Sequence, residues 1–361
     1  MSTKNNSLVA ELYADMGKLK LGTCVKKKRV KKKRAKKDIK ATTDTYSPTP
    51  LFATMIQPER DVATELFQGT SGHIPSVDKT SLFVKPDRKE DCPVCLLVLP
   101  EFNLCHYKAC CGKIICLGCM KGIIDEQNER NKAEKLKSNK LPLCPFCREP
   151  VETSGEERMS RLHSRVYAKP DDCNALAILG FWYSEGKRNI IPQDIEHGIE
   201  LLLRAIKLGS ADACASLGDA YNPLLIESGM YPGVERNLFR SIHYYEMAAM
   251  RGHMKARFHL GVLNIRFYFD TSITFKHFHI AASQGLDEAL KAVQIGYIMG
   301  AVTKNEFEAT LRENYESKIA VNSIRRKDAE EFWTRQSKQH DAVDISCTVR
   351  CYCGQVGSGN A

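Results

Sequence analysis

The sequence predicts a mainly α-helical protein in which a small cysteine-rich module precedes an array of helix–turn–helix repeats, after a disordered basic N-terminus. Three observations support this fold class. Ten of the twelve residues at positions 26–37 are basic, and nine of the 15 cysteines lie at positions 92–147. From about position 171 to 332, apolar residues recur at helical spacing and glycines punctuate the pattern.

These observations divide the 361 residues into four parts. Residues 1–90 form the disordered basic region and a linker, and residues 91–150 form the cysteine-rich module. The helical repeat domain covers residues 171–332, and residues 333–361 are predicted to be a flexible polar tail.

The basic run accounts for the whole formal net charge of +10. It predicts nuclear import, because two Lys-Lys-Lys-Arg clusters separated by one valine resemble receptor-read localisation signals. An import receptor is then the partner, and the nucleus is favoured over the cytoplasm. Nucleic-acid binding, contact with an acidic membrane face and a solubilising tail are the alternatives, and no aromatic residues interleave for base stacking. The run consists of Lys26, Lys27, Lys28, Arg29, Lys31, Lys32, Lys33, Arg34, Lys36 and Lys37.

The composition also argues against export. Positions 1–20 lack the apolar core of a secretory signal, and no apolar run approaches the length of a membrane span. We therefore expect an intracellular protein with no membrane span. In a reducing compartment, clustered cysteines are more often metal ligands than disulfides.

The cysteine-rich module contains four cysteine pairs, three of them with Cys-x2-Cys spacing. Such a knuckle places two thiolates to bind one tetrahedral zinc at about 2.3 Å. Eight thiolates suffice for two closed Zn²⁺ sites. A segment this short buries too little apolar surface to fold unaided, so zinc binding would drive its folding by roughly 10–16 kcal/mol per ion. The pairs are Cys92 and Cys95, Cys110 and Cys111, Cys116 and Cys119, and Cys144 and Cys147.

The order of these pairs, closed by Cys-Pro-Phe-Cys-Arg-Glu-Pro, resembles a RING finger over residues 92–148. The resemblance implies cross-braced metals. Cys92, Cys95, Cys116 and Cys119 would hold the first zinc, and Cys110, Cys111, Cys144 and Cys147 would hold the second.

The module departs from the common RING pattern at one position. Most RING fingers have a histidine two residues after the third cysteine, and aligning on Cys111 puts Lys113 at that position. A lysine ammonium has no lone pair for a metal, so the sequence is closer to the all-cysteine variant. Cys110 is our choice for the third ligand of the series, and Cys105 and His106 remain alternatives.

The RING resemblance implies a ubiquitin ligase. In that family, an apolar groove binds a ubiquitin-conjugating enzyme, and a cation after the last cysteine contacts the enzyme and its ubiquitin. Val94, Pro145 and Arg148 match these roles. Such a ligase positions the thioester conjugate for attack by a protein substrate and forms no covalent intermediate, so we assign no catalytic residue. The alternative is a non-catalytic zinc-finger and repeat scaffold, in which Arg148 is simply an exposed arginine.

The second half of the chain repeats itself. One motif, Ala175-x3-Leu179-Gly180-x2-Tyr183, recurs as Ala213-x3-Leu217-Gly218-x2-Tyr221. It recurs with fewer matching residues around Gly261 and Gly296. These glycines are 38, 43 and 35 positions apart, which is the period of helix–turn–helix arrays. The glycines within helices allow two helices to approach closely.

Each repeat ends in a glycine that suits a left-handed helix cap: Gly209, Gly252 and Gly285. Asp171 and Asp194 are predicted N-caps. The motifs resemble Sel-1-like repeats, relatives of the tetratricopeptide repeat, which implies an α-helical solenoid of three to four repeats that recruits a substrate or another partner protein.

Overall fold

The computed structural model describes residues 81–86, 90–101, 104–133, 141–152, 154–186, 190–228, 231–268 and 270–339. Within these ranges the chain forms eleven α-helices and one two-stranded antiparallel sheet. The mainly α fold class is therefore confirmed. All of the described residues belong to one compact unit.

The cysteine-rich module, here called the finger (residues 90–152), is built on one β-hairpin and one helix. Strand β1 (Cys105–Lys108) pairs with β2 (Lys113–Cys116), so that Cys105 faces Cys116 and Lys108 faces Lys113. Helix α1 (Leu117–Ala133) follows β2 directly. Its apolar face packs with the hairpin in a core that includes Ile115, Met120 and Ile124.

The finger is joined to the array by a helix that the sequence analysis did not assign to any domain. Helix α2 (Gly155–Ala168) is capped by Ser154, whose side chain accepts a hydrogen bond from the Glu157 backbone N–H. Its buried Arg158 donates to the carbonyl of Tyr107 in β1 at 3.4 Å. The connection between the finger and the array is thus an ordered helix in contact with the hairpin.

The array contains four helix hairpins, at the upper limit of the predicted three to four repeats. Consecutive helices of the array pack on each other, which is the arrangement of an α-helical solenoid. The pairs are α3 (Cys173–Glu185) with α4 (Ile195–Lys207), α5 (Ala211–Tyr221) with α6 (Leu238–Met250), α7 (Met254–Phe267) with α8 (Thr271–Ser283), and α9 (Asp287–Ile298) with α10 (Lys304–Val321).

Gly218 and Gly261 act as predicted. A Cβ on Gly218 would lie 2.4 Å from the ring of Tyr245, and one on Gly261 would lie 2.4 Å from the ring of Phe278. Only glycine leaves room for these rings between the helices of a hairpin. Gly296 differs, because the ring it receives is that of Phe275 in the preceding hairpin. The three terminal glycines all have positive φ, between 84° and 102°.

One predicted helix cap is confirmed and one is wrong. Asp194 caps α4 by accepting a hydrogen bond from the backbone N–H of His197. Helix α3 is capped by Asp172, not by Asp171. Asp172 also accepts bonds from side chains outside the helix, a reason for its position that the local sequence did not reveal.

Two predicted domain boundaries need correction. Residues 333–339, predicted to lie in the tail, belong to helix α11 (Ile324–Gln339). Trp333 of this helix is buried in the core of the finger, which explains why the helix extends past residue 332. Residues 81–86, assigned to the linker, include a 3-10 turn (Ser81–Phe83) packed on the array. There Leu82 is buried, and its carbonyl accepts a 2.5 Å hydrogen bond from Arg257.

Candidate metal centre

The first group of four thiols combines the knuckle before the hairpin with the knuckle after it. The Sγ atoms of Cys92, Cys95, Cys116 and Cys119 all lie within 4.8 Å of one another. The Cys92–Cys119 and Cys95–Cys116 Sγ distances are 3.9 Å and 3.8 Å. A tetrahedron with bonds of about 2.3 Å has edges of about 3.8 Å, so this group has the dimensions of a zinc–tetrathiolate site.

The second group joins the hairpin turn to the last knuckle. Cys110, Cys111, Cys144 and Cys147 also lie within 4.8 Å of one another, and the Cys111–Cys144 Sγ distance is 3.8 Å. This group is more open than the first, since Cys147 is exposed. The two groups interleave along the chain: the first and third cysteine pairs form one, and the second and fourth form the other.

The first and last knuckles share one backbone conformation. Leu96 donates its backbone N–H to the Cys92 carbonyl at 2.8 Å, and Arg148 donates to the Cys144 carbonyl at 3.0 Å. Each donor follows the second cysteine of its knuckle and has a positive φ, 59° for Leu96 and 65° for Arg148. Non-glycine residues rarely adopt this conformation, so the turns are imposed by their surroundings.

The two alternatives for the third ligand belong to neither group. The Cys105 thiol donates to the Pro100 carbonyl at 3.7 Å, and its burial raises its pKa. His106 is buried, with both ring nitrogens 3.3 Å from an Nη1 atom of Arg158. Cys110, by contrast, lies with Cys111, Cys144 and Cys147.

The electrostatics of the first group favour a thiolate at Cys116. A hydrogen bond from the Cys119 thiol, with a further contribution from Arg326, lowers the pKa of Cys116 to about 4. The pKa of Cys119 moves in the opposite direction because the two sulfurs share one proton. A metal cation at this position would displace that proton and hold both sulfurs as thiolates.

The arrangement would leave little scope for chemistry at a bound metal. Four sulfurs complete a tetrahedral shell, and neither group offers the open position that zinc hydrolases use for water. Thiolates committed to such a shell are also blocked as nucleophiles. The two sets of four cysteines therefore suit structural ions, which would fix the cysteine knuckles relative to one another.

The residues predicted to contact a ubiquitin-conjugating enzyme are accessible. Val94 is 42% exposed in the first knuckle, and Pro145 and Arg148 are exposed in the last. Phe146, which the sequence analysis did not select, adds an apolar side chain that is 39% exposed between Pro145 and Cys147. The basic run at positions 26–37 lies outside the described residues.

One residue beside the first group was not predicted from the sequence. Arg326 in α11 donates to the Cys95 sulfur at 3.3 Å, although it is 231 positions away. The spacing of Arg326, Ala329 and Trp333 along one helical face was a usable signal for a buried surface, but it did not indicate the finger as the partner.

A cleft of about 440 Å³ lies between the finger and the first three hairpins. Leu99 and Glu101 line it from the finger, and Phe181 and Lys255 line it from the array. Lys255 and Glu101 form an ion pair of 2.6 Å between the two parts. The cleft thus offers apolar and charged surface at the junction of the finger and the array.

Taken with the fold, these sites define a class of protein: two four-cysteine groups on a small finger that is attached to an α-helical repeat array. The family model of the Sel1 repeat matches residues 173–210 and 211–253. These are the first two hairpins with the turns that end them. The presence of Sel1 repeats indicates a scaffold for protein–protein interaction.

Two solved structures are similar to the chain. A Sel1 repeat protein from Oxalobacter formigenes is 26% identical, with a TM-score of 0.32 and coverage of 38% of this chain and 97% of that one. A protective antigen of uropathogenic Escherichia coli strains, displaying an SLR fold, is 18% identical with a TM-score of 0.32. That match covers 55% of this chain, which spans 46% of the antigen. No curated protein matches the sequence.

In the part of the chain that the structure describes, no helix combines the length and apolar character needed to cross a membrane.

Proposed function

We propose that the finger binds two Zn²⁺ ions in a cross-braced, RING-type arrangement and acts as a ubiquitin ligase, with the array recruiting the substrate. The observation that carries the proposal is the interleaved grouping of eight cysteines into two sets of zinc–tetrathiolate dimensions. Cys92, Cys95, Cys116 and Cys119 bind one ion, and Cys110, Cys111, Cys144 and Cys147 bind the other.

The ligase mechanism is one of positioning. Val94, Pro145 and Phe146 present apolar surface to the conjugating enzyme. Arg148 is exposed and is held in a left-handed turn immediately after a metal ligand, so its backbone direction is fixed. Its guanidinium is permanently charged and offers five N–H donors, which suits it to bridging carbonyls of the enzyme and of its bound ubiquitin. Restraining that conjugate lowers the entropic cost of attack by the substrate amine.

The array would supply the substrate. Helical repeat arrays bind partner proteins along extended surfaces, and the cleft beside the finger gives this array a recess with both apolar and charged walls. Because Lys255 and Glu101 pair across the junction and α2 is ordered, a bound substrate would be held at a defined distance from Arg148.

A second candidate is a scaffold without ligase activity. The family match favours it, because the match lies entirely within the repeats and indicates protein binding alone. In that case the zinc-loaded finger serves as a further docking surface.

For location, we propose that the basic run directs the protein to the nucleus. A fluorescent fusion lacking residues 26–37 should lose nuclear accumulation.

Metal content tests the first part of the proposal. Native mass spectrometry of the full chain should find two zinc ions per molecule. A Cys92→Ser, Cys116→Ser variant should retain one ion, since the second group is intact. A folded wild-type chain with no zinc would contradict the metal assignment.

Ubiquitin transfer tests the second part. The zinc-loaded chain, mixed with activating enzyme, a panel of conjugating enzymes and ubiquitin, should form ubiquitin chains. Arg148→Ala should abolish most of this activity at unchanged zinc content. Arg130→Ala is the matched control, because Arg130 is exposed on α1 and forms an ion pair with Glu126 one turn away on the same helix. Absence of activity across the panel would favour the scaffold.

A further inference from the structure

The C-terminal helix α11 places one arginine directly on the first four-cysteine group. Arg326 is 8% exposed. One terminal nitrogen donates to the carbonyls of Val98 and Val321, each at 2.6 Å. The other donates to the Leu97 carbonyl at 3.2 Å and to the Cys95 sulfur at 3.3 Å. Four acceptors, three of them on the first knuckle and the segment after it, thus converge on one guanidinium.

The packing around Arg326 fixes its position. On the same face of α11, Ala329 and Trp333 are buried in the core of the finger with Met120 and Ile124. Gly118, between the ligands Cys116 and Cys119, makes the close approach possible. A Cβ at Gly118 would lie 3.1 Å from the backbone and side chain of Arg326. The helix therefore docks at the site of the metal ligands themselves.

The charge of Arg326 complements that of a metal centre. Four thiolates around one Zn²⁺ carry a net charge of −2, which is costly to bury unless hydrogen bonds and cations offset it. Arg326 supplies a positive charge and a hydrogen bond to the Cys95 sulfur, and the Cys116 backbone N–H lies 3.5 Å from the Cys92 sulfur. The carbonyls of Leu97 and Val98, which also accept from Arg326, lie just beyond the knuckle.

We propose that Arg326 is a positioning residue for the first metal site, and that it makes metal retention in the finger depend on the docking of α11. The proposal rests on the proposed zinc binding. Zinc binding and the docking of α11 are linked by one coupling free energy, so each event favours the other. Docked α11 slows the loss of zinc from the first site, and zinc in that site favours docked α11.

Zinc transfer to a chelator measures this coupling. The full chain, loaded with two zinc ions, is mixed with excess EDTA, and the released zinc is followed over time. In Arg326→Ala, one of the two zinc equivalents should leave roughly 10–100-fold faster, the usual cost of removing a residue that supports a metal ligand. The other equivalent should leave at the wild-type rate, since the metal-ligand contact of Arg326 is to the first group.

Two further variants complete the experiment. Arg325→Ala is the control, because it removes the same charge from the adjacent exposed position of α11. It should release both ions as the wild type does. Arg326→Lys guards against misfolding of the alanine variant: it keeps the charge, but a single ammonium does not span Cys95 and Val98. It should also accelerate release of one equivalent.

The outcomes separate this proposal from the one on which it rests. A wild-type chain that holds no zinc contradicts the metal assignment. A wild-type chain that holds two zinc ions, with both Arg326 variants releasing them at the wild-type rate, overturns only the role of Arg326. Equal acceleration of both equivalents would also overturn it. Hydrogen exchange supplies a second readout: EDTA treatment should expose the amides of α11 in the wild type.

Discussion

The hydroxyl of Tyr107 in the finger donates a 2.7 Å hydrogen bond to the carboxylate of Asp172, the residue that caps the first helix of the array. The same carboxylate accepts from Arg165 Nε at 2.8 Å and from the Ala175 backbone N–H at 3.1 Å. Burial, together with Asp172, raises the pKa of Tyr107, so its hydroxyl remains a donor. One carboxylate therefore joins the finger, α2 and the array.

Tyr107→Phe removes the bond between the finger and the cap and leaves the ring in place. Because the acceptor is a carboxylate, the free energy of unfolding should fall by about 1.5–3 kcal/mol. Urea denaturation at neutral pH measures the change. Tyr167→Phe is the control, since Tyr167 is 91% exposed on α2 and should have no measurable effect. Equal stability of Tyr107→Phe and wild type would show that the bond contributes nothing.

Gly218→Ala should destabilise the array. The new Cβ would lie 2.4 Å from the ring of Tyr245, which is fully buried and is held by a 2.5 Å hydrogen bond to Asp219. Overpacking of this kind costs about 1–3 kcal/mol and outweighs the better helix propensity of alanine. Thermal unfolding followed by circular dichroism measures the loss.

The finger offers a matched variant for this comparison. Gly122 lies in α1, and a Cβ there meets nothing within 4 Å. Gly122→Ala should therefore stabilise the protein by up to about 1 kcal/mol through helix propensity alone. If both alanine variants shifted the stability in the same direction, close packing would not be the reason for the glycine in the repeat.

Leu96→Gly should be tolerated or slightly stabilising. Leu96 has a φ of 59° and is 74% exposed, so glycine relieves backbone strain of about 1 kcal/mol while little buried surface is lost. Leu311→Gly, at a 47% exposed position within α10, should instead cost about 1 kcal/mol. Denaturation midpoints of the two zinc-loaded variants distinguish the effects. A comparable loss in both would argue against strain at the knuckle.

Acid should destabilise the array through His277. Burial, and then the nearby Arg257, lower the pKa of this imidazole to about 3 from its usual value of about 6.5. Between these values the unfolded chain binds a proton that the folded chain does not, so stability falls as the pH falls below about 6.5. From pH 7 to pH 5 the loss from this residue is about 2 kcal/mol.

His277→Leu tests this assignment. Its free energy of unfolding, measured in urea with saturating zinc, should fall by about 2 kcal/mol less than that of the wild type between pH 7 and pH 5. An unchanged pH dependence would assign the acid sensitivity to other groups.

Much of the fold was predictable from local patterns. The glycines at 209, 252 and 285 end helices because the left-handed conformation is favourable for glycine in any context. The close packing at Gly218 and Gly261 follows from the same repeated motif. Spacing indicates four cysteine pairs, and only the RING resemblance implies how they group into two sites. Cys110 is distinguished from Cys105 and His106 only by its position in three dimensions.

The contacts that unite the parts were not predictable. Asp172 and Asp171 are equivalent as candidate caps until Tyr107 and Arg165 are brought near one of them. Trp333 lies in a helix that is otherwise rich in charge, so the local sequence predicts a polar tail at residues 333–339. The roles of Asp172 and Trp333 both depend on contacts with residues distant in sequence. Local propensity does not identify those residues.

The contact between Arg326 and Cys95 also sets an order of events during synthesis. The two residues are 231 positions apart, and translation at about 5–20 residues per second takes about 10–50 s to cover that distance. The knuckles of the finger leave the ribosome long before the helix that covers the first of them. During this interval the first four-cysteine group is complete in its thiols but lacks its guanidinium, and the surface that later receives α11 is open to chaperones and to zinc.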